Sequence, residues 1–187
     1  MTFKKNNTQI ETERLILRKP ELSDAESIAK NANDIEVSKW LLVVPNPYTL
    51  KDAISWIKSF DDPKEGYSFT IELKSEKCII GGMGLHKIDL EKKRADVGYW
   101  IGSNYHRKGY GSEALAAIID FAFNKLELKV LEAGVFEGNP SSGKMLEKFG
   151  FKIVGESKTV TCKADGRRVQ DIPYKLFKKD YRFQKTV

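Results

Sequence analysis

The 187-residue sequence has few of the residues that mark disulfide-bonded or metal-bound proteins. Its two cysteines, Cys78 and Cys162, lie far apart and form no C-x-x-C pair, so neither a disulfide framework nor a cysteine zinc site is expected. Apolar runs such as Trp40–Val44 are much shorter than the roughly 20 residues of a membrane-spanning helix. Met1–Thr12 is polar and lacks the apolar centre of an export signal. We therefore expect a soluble cytoplasmic protein without a membrane partner.

The sequence also lacks a concentrated block of one charge. Its 32 Lys and Arg residues are spread among 26 Asp and Glu residues, which leaves a net charge of +6. Spread positive charge favours a small anionic ligand over DNA, which requires a basic stripe along its backbone. The length and the 41% hydrophobic content predict one domain over residues 1–187. Nothing in the sequence separates a monomer from a homodimer.

Hydrophobic periodicity predicts alternating strands and helices, typical of a mixed α/β fold. Arg14–Arg18 is the first predicted strand, and Ser23-Asp24-Ala25-Glu26 has the form of a capping box that starts a helix through about Asn31. Three antiparallel strands then precede a long helix and a parallel strand. The segments predicted after Asn31 are a helix capped by Thr49, strands Tyr67–Leu73, Cys78–Ile88, Ala95–Ile101 and Lys129–Phe136, a helix from Asn139-Pro140 to Gly150, and a hairpin turning at Asp165-Gly166.

The first candidate site lies in Asp96–Phe123. The apolar strand D-V-G-Y-W-I leads through H-R-K-G-Y-G into an amphipathic helix. Gly109 and Gly111 allow a tight turn, and the free amides at a helix start favour a phosphate. The P-loop motif is absent, and Ala114 interrupts a G-x-G-x-x-G pattern, so two common phosphate motifs are excluded. The turn therefore indicates anion binding, with a solvated tight turn as the alternative.

The second candidate site lies in Glu137–Phe151. Asn139-Pro140 is a strong helix start, because Asn caps the free amides and Pro tolerates the first helical position. Ser142 shares the inward stripe of this helix with apolar residues such as Leu146. In isolation, a capping Asn and a tolerated small Ser are the simpler interpretation of the segment.

Together, these segments resemble the GCN5-related N-acetyltransferases, and in detail the branch that acetylates the N-termini of ribosomal proteins. The matching motifs are E-T-E-R-L-I-L-R-K-P-E-L-S-D-A, D-V-G-Y-W-I, R-K-G-Y-G-S-E-A and G-N-P-S-S-G-K-M-L-E-K-F-G-F. The resemblance implies a mostly antiparallel mixed sheet, flanked by helices and splayed between its fourth and fifth strands. It also implies acetyl-CoA as co-substrate in the splay, with no metal required.

The resemblance assigns the coenzyme contacts residue by residue. The pyrophosphate loop, Q/R-x-x-G-x-G/A, falls on residues 106–111, with His106 in place of the usual Gln or Arg. In this family, backbone amides chiefly hold the phosphates, and basic side chains add charge. The strand end at Trp100 and Ile101 is implied to pair with the pantetheine arm and to polarise the thioester carbonyl. The implied contacts are Trp100, Ile101, His106, Arg107, Lys108, Gly109, Tyr110, Gly111, Ser112, Asn139 and Lys144.

The implied general base is Asp96, which stands where some family members carry a glutamate base. An amine substrate is mostly protonated at neutral pH, so a base or a water chain must take a proton. The reference pKa of an aspartate is about 3.9, so Asp96 needs a raised pKa or a relaying water. A solvated residue at a strand start is an equally weighted alternative, and Glu72 on the predicted meander is the second candidate.

The implied acid is Ser142, since Leu146 stands where many relatives carry a tyrosine acid. Ser142 matches the serine of the N-x-x-S pattern in the N-terminal acetylating branch. It is therefore expected to protonate or hydrogen-bond the coenzyme sulfur. Tyr105 and Tyr110 are expected to pack in the loop instead of acting as acids.

The predicted function is an acetyl-CoA-dependent N-acetyltransferase that transfers acetyl directly, within a ternary complex, to a protein N-terminal α-amine or a small-molecule amine. A non-catalytic acyl-CoA sensor or adaptor is the alternative, because Leu146 replaces the usual acid. Acceptor contacts are expected from Trp40–Tyr48, Trp56 and the terminal hairpin, whose spacing selects no particular amine. A third interpretation, a nucleic-acid-binding module, is supported only by the net charge.

Overall fold

A computed structural model describes residues 8–59 and 66–181. The remaining residues of the predicted 1–187 domain lie outside this description. Within it, the chain forms nine strands and five α-helices. In chain order these are β1 Ile10–Glu11, β2 Leu15–Arg18, α1 Ala25–Ala32, α2 Ile35–Ser38, α3 Leu50–Ser59, β3 Tyr67–Leu73, β4 Cys78–Asp89, β5 Arg94–Ile101, α4 Tyr110–Asp120, β6 Val130–Phe136, α5 Pro140–Lys148, β7 Lys152–Ile153, β8 Lys158–Thr161 and β9 Arg168–Phe177.

The strands form one open, mixed sheet in the order β1-β2-β3-β4-β5-β6-β9-β7, with β8 paired to β9. Neighbouring strands are antiparallel except β5 and β6, which are parallel. The pairing of β5 with β6 stops after Arg94–Asp96 and Val130–Glu132. Beyond that point the two strands separate. The predicted splay is confirmed, and it lies between the fifth and sixth strands because β1 adds one strand at the start.

Helices cover both sides of the sheet. On one side, α4 and α5 bury apolar side chains such as Leu115 and Leu146 against Val97, Leu131 and Tyr174. We call this side the α4 face. On the other side, α1 and α3 pack against Ile79 and the partly buried Trp100. We call this side the α1 face.

Several element boundaries differ from the sequence-based expectation. The capping box joins Glu21 and Asp24 and opens a 3-10 turn at Leu22, so it is not formed by Ser23 and Glu26. Asp24 takes this capping position because its buried carboxylate also accepts hydrogen bonds from Arg18. The long helix begins at Tyr110, directly after the glycine that caps it. The short helix α2, within the stretch between the first two predicted helices, was not predicted.

The terminal hairpin, β8 and β9, reaches across to the loop after α2. The buried Cys162 thiol lies 3.5 Å from the Lys39 carbonyl and 3.7 Å from the Leu41 carbonyl. Arg167 donates to the same Lys39 carbonyl at 3.0 Å. The hairpin and the loop therefore form one connected wall. None of the helices in the described ranges has the length and apolar character needed to cross a bilayer.

Candidate active site at the splayed strands

The end of the β5–β6 pairing creates the cleft on which the candidate site is built. Residues 97–101 of β5 and 133–136 of β6 have no register partners in each other. Each strand remains paired on its outer side, β5 with β4 and β6 with β9. The facing backbone edges can therefore accept an extended ligand as an inserted strand.

The turn at the mouth of this cleft presents backbone amides. Gly109 caps α4 with φ of 84°, a left-handed conformation that favours glycine. The first bond after the turn runs from the Glu113 amide to the Gly109 carbonyl at 3.0 Å. The amides of Tyr110, Gly111 and Ser112 consequently have no intrahelical acceptor, and they carry the positive end of the helix dipole. This end of α4 is built to receive an anion.

A partly buried ion pair between Arg14 and Glu113 holds the turn in place. Glu113 accepts hydrogen bonds from the Arg14 side chain at 2.7 Å, the Arg14 amide at 2.8 Å and the Thr12 hydroxyl at 2.6 Å. Arg14 also donates to the Lys108 carbonyl at 2.9 Å and stacks over the Tyr110 ring. Burial raises the pKa of the Glu113 carboxyl, but the hydrogen bonds from Thr12 and Arg14 outweigh it and lower the pKa overall. The start of β2 thus fixes the start of α4.

His106, the departure from the family pattern, holds the loop to the end of β5. Its Nε2–H donates to the Ile101 carbonyl at 2.7 Å. Arg107 and Lys108 are exposed, and Arg107 adopts φ of 60°. Tyr110 packs against the core beneath Arg14, as its predicted packing role requires. Tyr105 bonds Cys78 and Glu76, which raise its pKa.

The opposite wall of the cleft is the start of α5. The Asn139 side chain accepts the Ser142 amide at 3.2 Å, so the predicted helix cap is confirmed. Ser142 Oγ lies 2.8 Å from the Tyr99 hydroxyl on β5. This bond joins β5 to α5, the helix that follows β6. Burial raises the pKa of Tyr99 to about 12, so its hydroxyl is protonated at neutral pH. Leu146 is fully buried and Lys144 is exposed.

Asp96 and Glu72 lie on the sheet but have different partners. Asp96 Oδ2 accepts from Lys87 Nζ at 2.8 Å, and this bond raises the pKa of Lys87. Glu72 accepts a hydrogen bond from Arg18 at 2.7 Å, and Arg18 also donates to Asp24. β3, which carries Glu72, is separated from β5 by β4, so Glu72 is bound in an ion-pair network two strands from Asp96.

The wall formed by the loop after α2 and the terminal hairpin lies near α5. Lys39 and Arg167 both lie over the Trp40 ring, at 5.3 and 5.8 Å from its centroid. The same ring lies close to Gly138, the residue before the α5 cap. Trp40 and the hairpin, two of the predicted acceptor elements, are therefore in contact. Trp56 packs with the α1 face cluster.

Three functional neighbours were missed in the sequence. In the sequence, Tyr99 stands out only as part of an apolar strand. Its alternation with Val97 and Ile101 nevertheless predicts that it lies on their side of the sheet. Arg14 and Glu113 are separated by almost 100 residues, so no local pattern links them. Within the described ranges, no group of three or more His, Cys, Asp or Glu side chains is arranged to hold a metal ion.

Comparison with known sequences identifies the class of protein. A family model described as an acetyltransferase (GNAT) domain matches residues 14–152. The uncharacterized N-acetyltransferase p20 of Bacillus licheniformis is 35% identical over 172 residues, covering 91% of this chain and 96% of that protein. A ribosomal-protein-serine acetyltransferase of Escherichia coli is 24% identical over 128 residues, covering 61% of this chain and 72% of that protein.

Solved structures share the fold. A GNAT-family acetyltransferase from Bacillus anthracis matches with a TM-score of 0.79 at 24% identity, covering 92% of this chain and 99% of that chain. The microcin C7 self-immunity acetyltransferase MccE, solved with acetyl-CoA and AMP, matches with a TM-score of 0.78 at 21% identity, covering 89% of this chain and 93% of that chain. The chain belongs to the GNAT acetyltransferase family, and it is an acyltransferase.

The Glu113 brace predicts a specific pH dependence of stability. Because the pKa of Glu113 is lowered, its charged carboxylate stabilises the fold at neutral pH. This stabilisation is lost as the pH falls through the pKa of Glu113 in the folded state. Glu113→Gln should lower the free energy of unfolding by about 2 kcal/mol at pH 7. The difference from wild type should shrink below about pH 4. Urea unfolding between pH 7 and pH 3 measures both effects.

Glu36→Gln is the matched control, because the Glu36 side chain is 63% exposed in its pair with Lys39. Such a surface pair contributes little, so this variant should unfold like wild type at every pH. A pH-independent loss in Glu113→Gln would contradict the role given to its charge.

Proposed function

We propose that the chain, as one domain over residues 1–187, transfers the acetyl group of acetyl-CoA directly to a primary amine in a ternary complex. The observation that carries this proposal is the cleft between β5 and β6. An amide-bearing helix start stands at its mouth, and the Tyr99–Ser142 pair crosses it at 2.8 Å. An anion site at the start of α4 and a proton donor on β5 and α5 therefore lie at the same cleft.

The residues around the cleft fit a coenzyme A moiety. The amides of Gly109, Tyr110, Gly111 and Ser112 would hold the pyrophosphate, with added charge from Arg107 and Lys108. The contact of His106 with the Ile101 carbonyl supports a loop that is already shaped for binding. A Cβ at Gly111 would stand 3.4 Å from Met145 Sδ, an ordinary van der Waals distance, so the start of α4 lies against the α5 side chain.

The remaining proposed contacts lie deeper in the cleft. The backbone edge at Trp100 and Ile101, where the Ile101 carbonyl already accepts from His106, would bind the pantetheine arm as an added strand. An amide there would polarise the thioester carbonyl. The Asn139 Oδ1 caps the Ser142 amide, which leaves its NH₂ group as the donor toward the arm. Lys144 on the exposed side of α5 would contact the outer part of the coenzyme.

Ser142 and Asp96 are the proposed catalytic residues. When bound, acetyl-CoA supplies an activated acetyl thioester. Ser142 Oγ–H would donate its proton to the leaving sulfur, and the Tyr99 hydroxyl beside it would restore that proton. Asp96 would take a proton from the amine, directly or through water, once its bond with Lys87 opens. Because Leu146 has no ionisable group, the Ser142 and Tyr99 hydroxyls are the proposed proton donors on this wall of the cleft.

The proposed acceptor is a protein N-terminal α-amine or a small-molecule amine. The Escherichia coli relative is a ribosomal-protein-serine acetyltransferase, which supports a protein N-terminus. MccE, which shares the fold, was solved in complex with acetyl-CoA and AMP, which supports a small molecule. The proposed acceptor wall comprises Trp40–Tyr48 and the terminal hairpin, which meet through Cys162.

Mass spectrometry and CoA release test this function together. Purified protein is incubated with acetyl-CoA and a pool of N-terminal peptides and small amines, and acetylated products and free thiol are measured. A mass increase of one acetyl group on an amine, matched by free CoA, supports the proposal. Acetyl-CoA binding without CoA release across the pool would contradict it and favour the sensor or adaptor, which Leu146 motivates.

Variants of the hydroxyl pair test the acid role. Ser142→Ala should lower kcat by about 100-fold, because a general acid is lost. It should change KM for acetyl-CoA much less. Tyr99→Phe should give a smaller loss of kcat, because the serine hydroxyl remains. Steady-state kinetics measure each constant. The exposed Ser141→Ala is the control on the same helix, and an unchanged kcat in Ser142→Ala would remove Ser142 from the mechanism.

A glycine pair tests the anion site. Gly109→Ala forces a side chain into a left-handed conformation and brings its Cβ to 3.2 Å from Arg14. The expected conformational penalty of about 1–2 kcal/mol should raise the Kd for CoA roughly 10-fold. Gly155 has φ of 71° and no atom within 4 Å of its Cβ position, so Gly155→Ala carries similar backbone strain away from the site. Isothermal titration should give Gly155→Ala the wild-type Kd; equal effects would contradict the assignment.

A further inference from the structure

Asp171 is a carboxylate on the α1 face that sequence patterns did not single out. It lies on β9, opposite Phe136 of β6. Its carboxyl group covers Gly134, so a Cβ there would stand 2.7 Å from Oδ2 and still closer to Oδ1. Gly134 follows Glu132, the last β6 residue paired with β5, by two positions. Asp171 therefore stands where the cleft begins.

The Asp171 carboxyl has no hydrogen-bonding partner for its enclosed oxygen. Oδ1 is buried, and neither a side chain nor a backbone amide donates to it. Burying an unpaired carboxylate is costly, so such groups in a folded protein need an explanation. The residue as a whole is only half-buried, which leaves the carboxyl group reachable. Burial raises the pKa of Asp171.

The charges around Asp171 come from several strands of the same face. Lys87 and Lys158 lower its pKa, while Asp96 raises it. Lys87 is bound to Asp96, and Lys175 is bound to Glu132 at 2.8 Å. His86, the neighbour of Lys87 on β4, pairs in register with Asp96 and also faces this side. The Lys87 ammonium is thus already bound to another carboxylate, and Lys158 stands opposite Asp171 in the β8–β9 register.

We propose that Asp171 is a catalytic carboxylate that binds the acceptor ammonium and takes its proton. The inference rests on the proposed N-acetyltransferase function, and it assigns to Asp171 the proton-accepting step given above to Asp96, whose carboxylate stays bound to Lys87. The enclosed Oδ1 lies against Gly134, so Oδ2 is the carboxylate oxygen that a substrate ammonium at the start of the cleft would reach. The glycine beneath it gives the carboxyl group the space it occupies. Asp96, held by Lys87, then supplies negative charge on the same face.

The step balances without another reactant. The ammonium loses one proton to Asp171, and the neutral nitrogen attacks the thioester carbon to form the C–N bond. The C–S bond breaks, the sulfur takes the Ser142 proton, and the second nitrogen proton returns to the Ser142–Tyr99 pair. Asp171 releases its proton to solvent. The products are the acetamide, free CoA and one proton.

Asp171→Asn is the direct test, because it keeps the shape and removes the proton acceptor. With an amine identified by the acetylation assay, kcat/KM for that amine should fall about 100-fold or more. The Kd for CoA should stay at the wild-type value. In the wild type, kcat/KM should fall as pH is lowered through the raised pKa of Asp171. The variant should lose this acidic limb. Asp120→Asn, on α4, is the matched control and should keep both rate and profile.

Gly134→Ala is a second test that leaves the carboxyl group in the protein. Its Cβ would displace the Asp171 carboxyl, the end of a flexible side chain, so the fold should be retained. The variant should lose kcat/KM for the amine while binding CoA normally. Circular dichroism and the thermal midpoint confirm folding of both variants. If Asp171→Asn does not fold, the kcat/KM of Gly134→Ala for the amine tests the role of Asp171 instead.

The outcomes separate the two levels of the proposal. A wild type that releases no CoA with any amine overturns the N-acetyltransferase function and the role of Asp171 with it. An active wild type with an unchanged rate in Asp171→Asn or Gly134→Ala overturns the Asp171 role alone. Retention of the acidic limb in Asp171→Asn would assign that limb to Asp96 or His86 and would also overturn it.

Discussion

The end of the β5–β6 pairing at Asp96 and Glu132 is the constraint on which the site depends. Two parallel strands that stay paired leave no free edge, whereas strands that separate expose backbone groups that require partners. The outer pairing of β5 with β4 and of β6 with β9 holds both strands in place while the cleft stays open. The Tyr99–Ser142 bond then crosses the opening and ties β5 to α5.

The two faces of the sheet divide the proposed chemistry. Odd-numbered residues of β5, such as Tyr99, lie toward α4 and α5, where the coenzyme and the proton donor are proposed. Even-numbered residues, such as Asp96, lie toward α1, where carboxylates and the loop–hairpin wall are proposed to receive the amine. Alternation along one strand would therefore bring the proposed acid and base groups to opposite sides of the thioester. Arg14 and Glu113 hold the turn at the start of α4 against the start of β2.

Local patterns predicted much of this architecture. The strands Tyr67–Leu73 and Lys129–Phe136, the Asn139 cap and the terminal hairpin follow from periodicity and turn chemistry, and the structure contains them within a residue or two. Motif resemblance placed the splay. Long-range pairing was not predictable: Asp24 caps its turn because Arg18 requires it, and Tyr99 meets Ser142 only after the crossover folds. Asp171 carries no motif, and its enclosed oxygen is visible only once β9 is paired with β6.

The central claim is that coenzyme A binds along the free edge of β5 and across the start of α4. Hydrogen–deuterium exchange with and without CoA tests this binding mode directly, because the exchange rate is measured for individual backbone amides. Residues 98–101 and 107–112 should gain protection on CoA binding, while residues 158–161 of β8 should exchange unchanged. Protection confined to the hairpin, or CoA binding without protection at 107–112, would contradict the account.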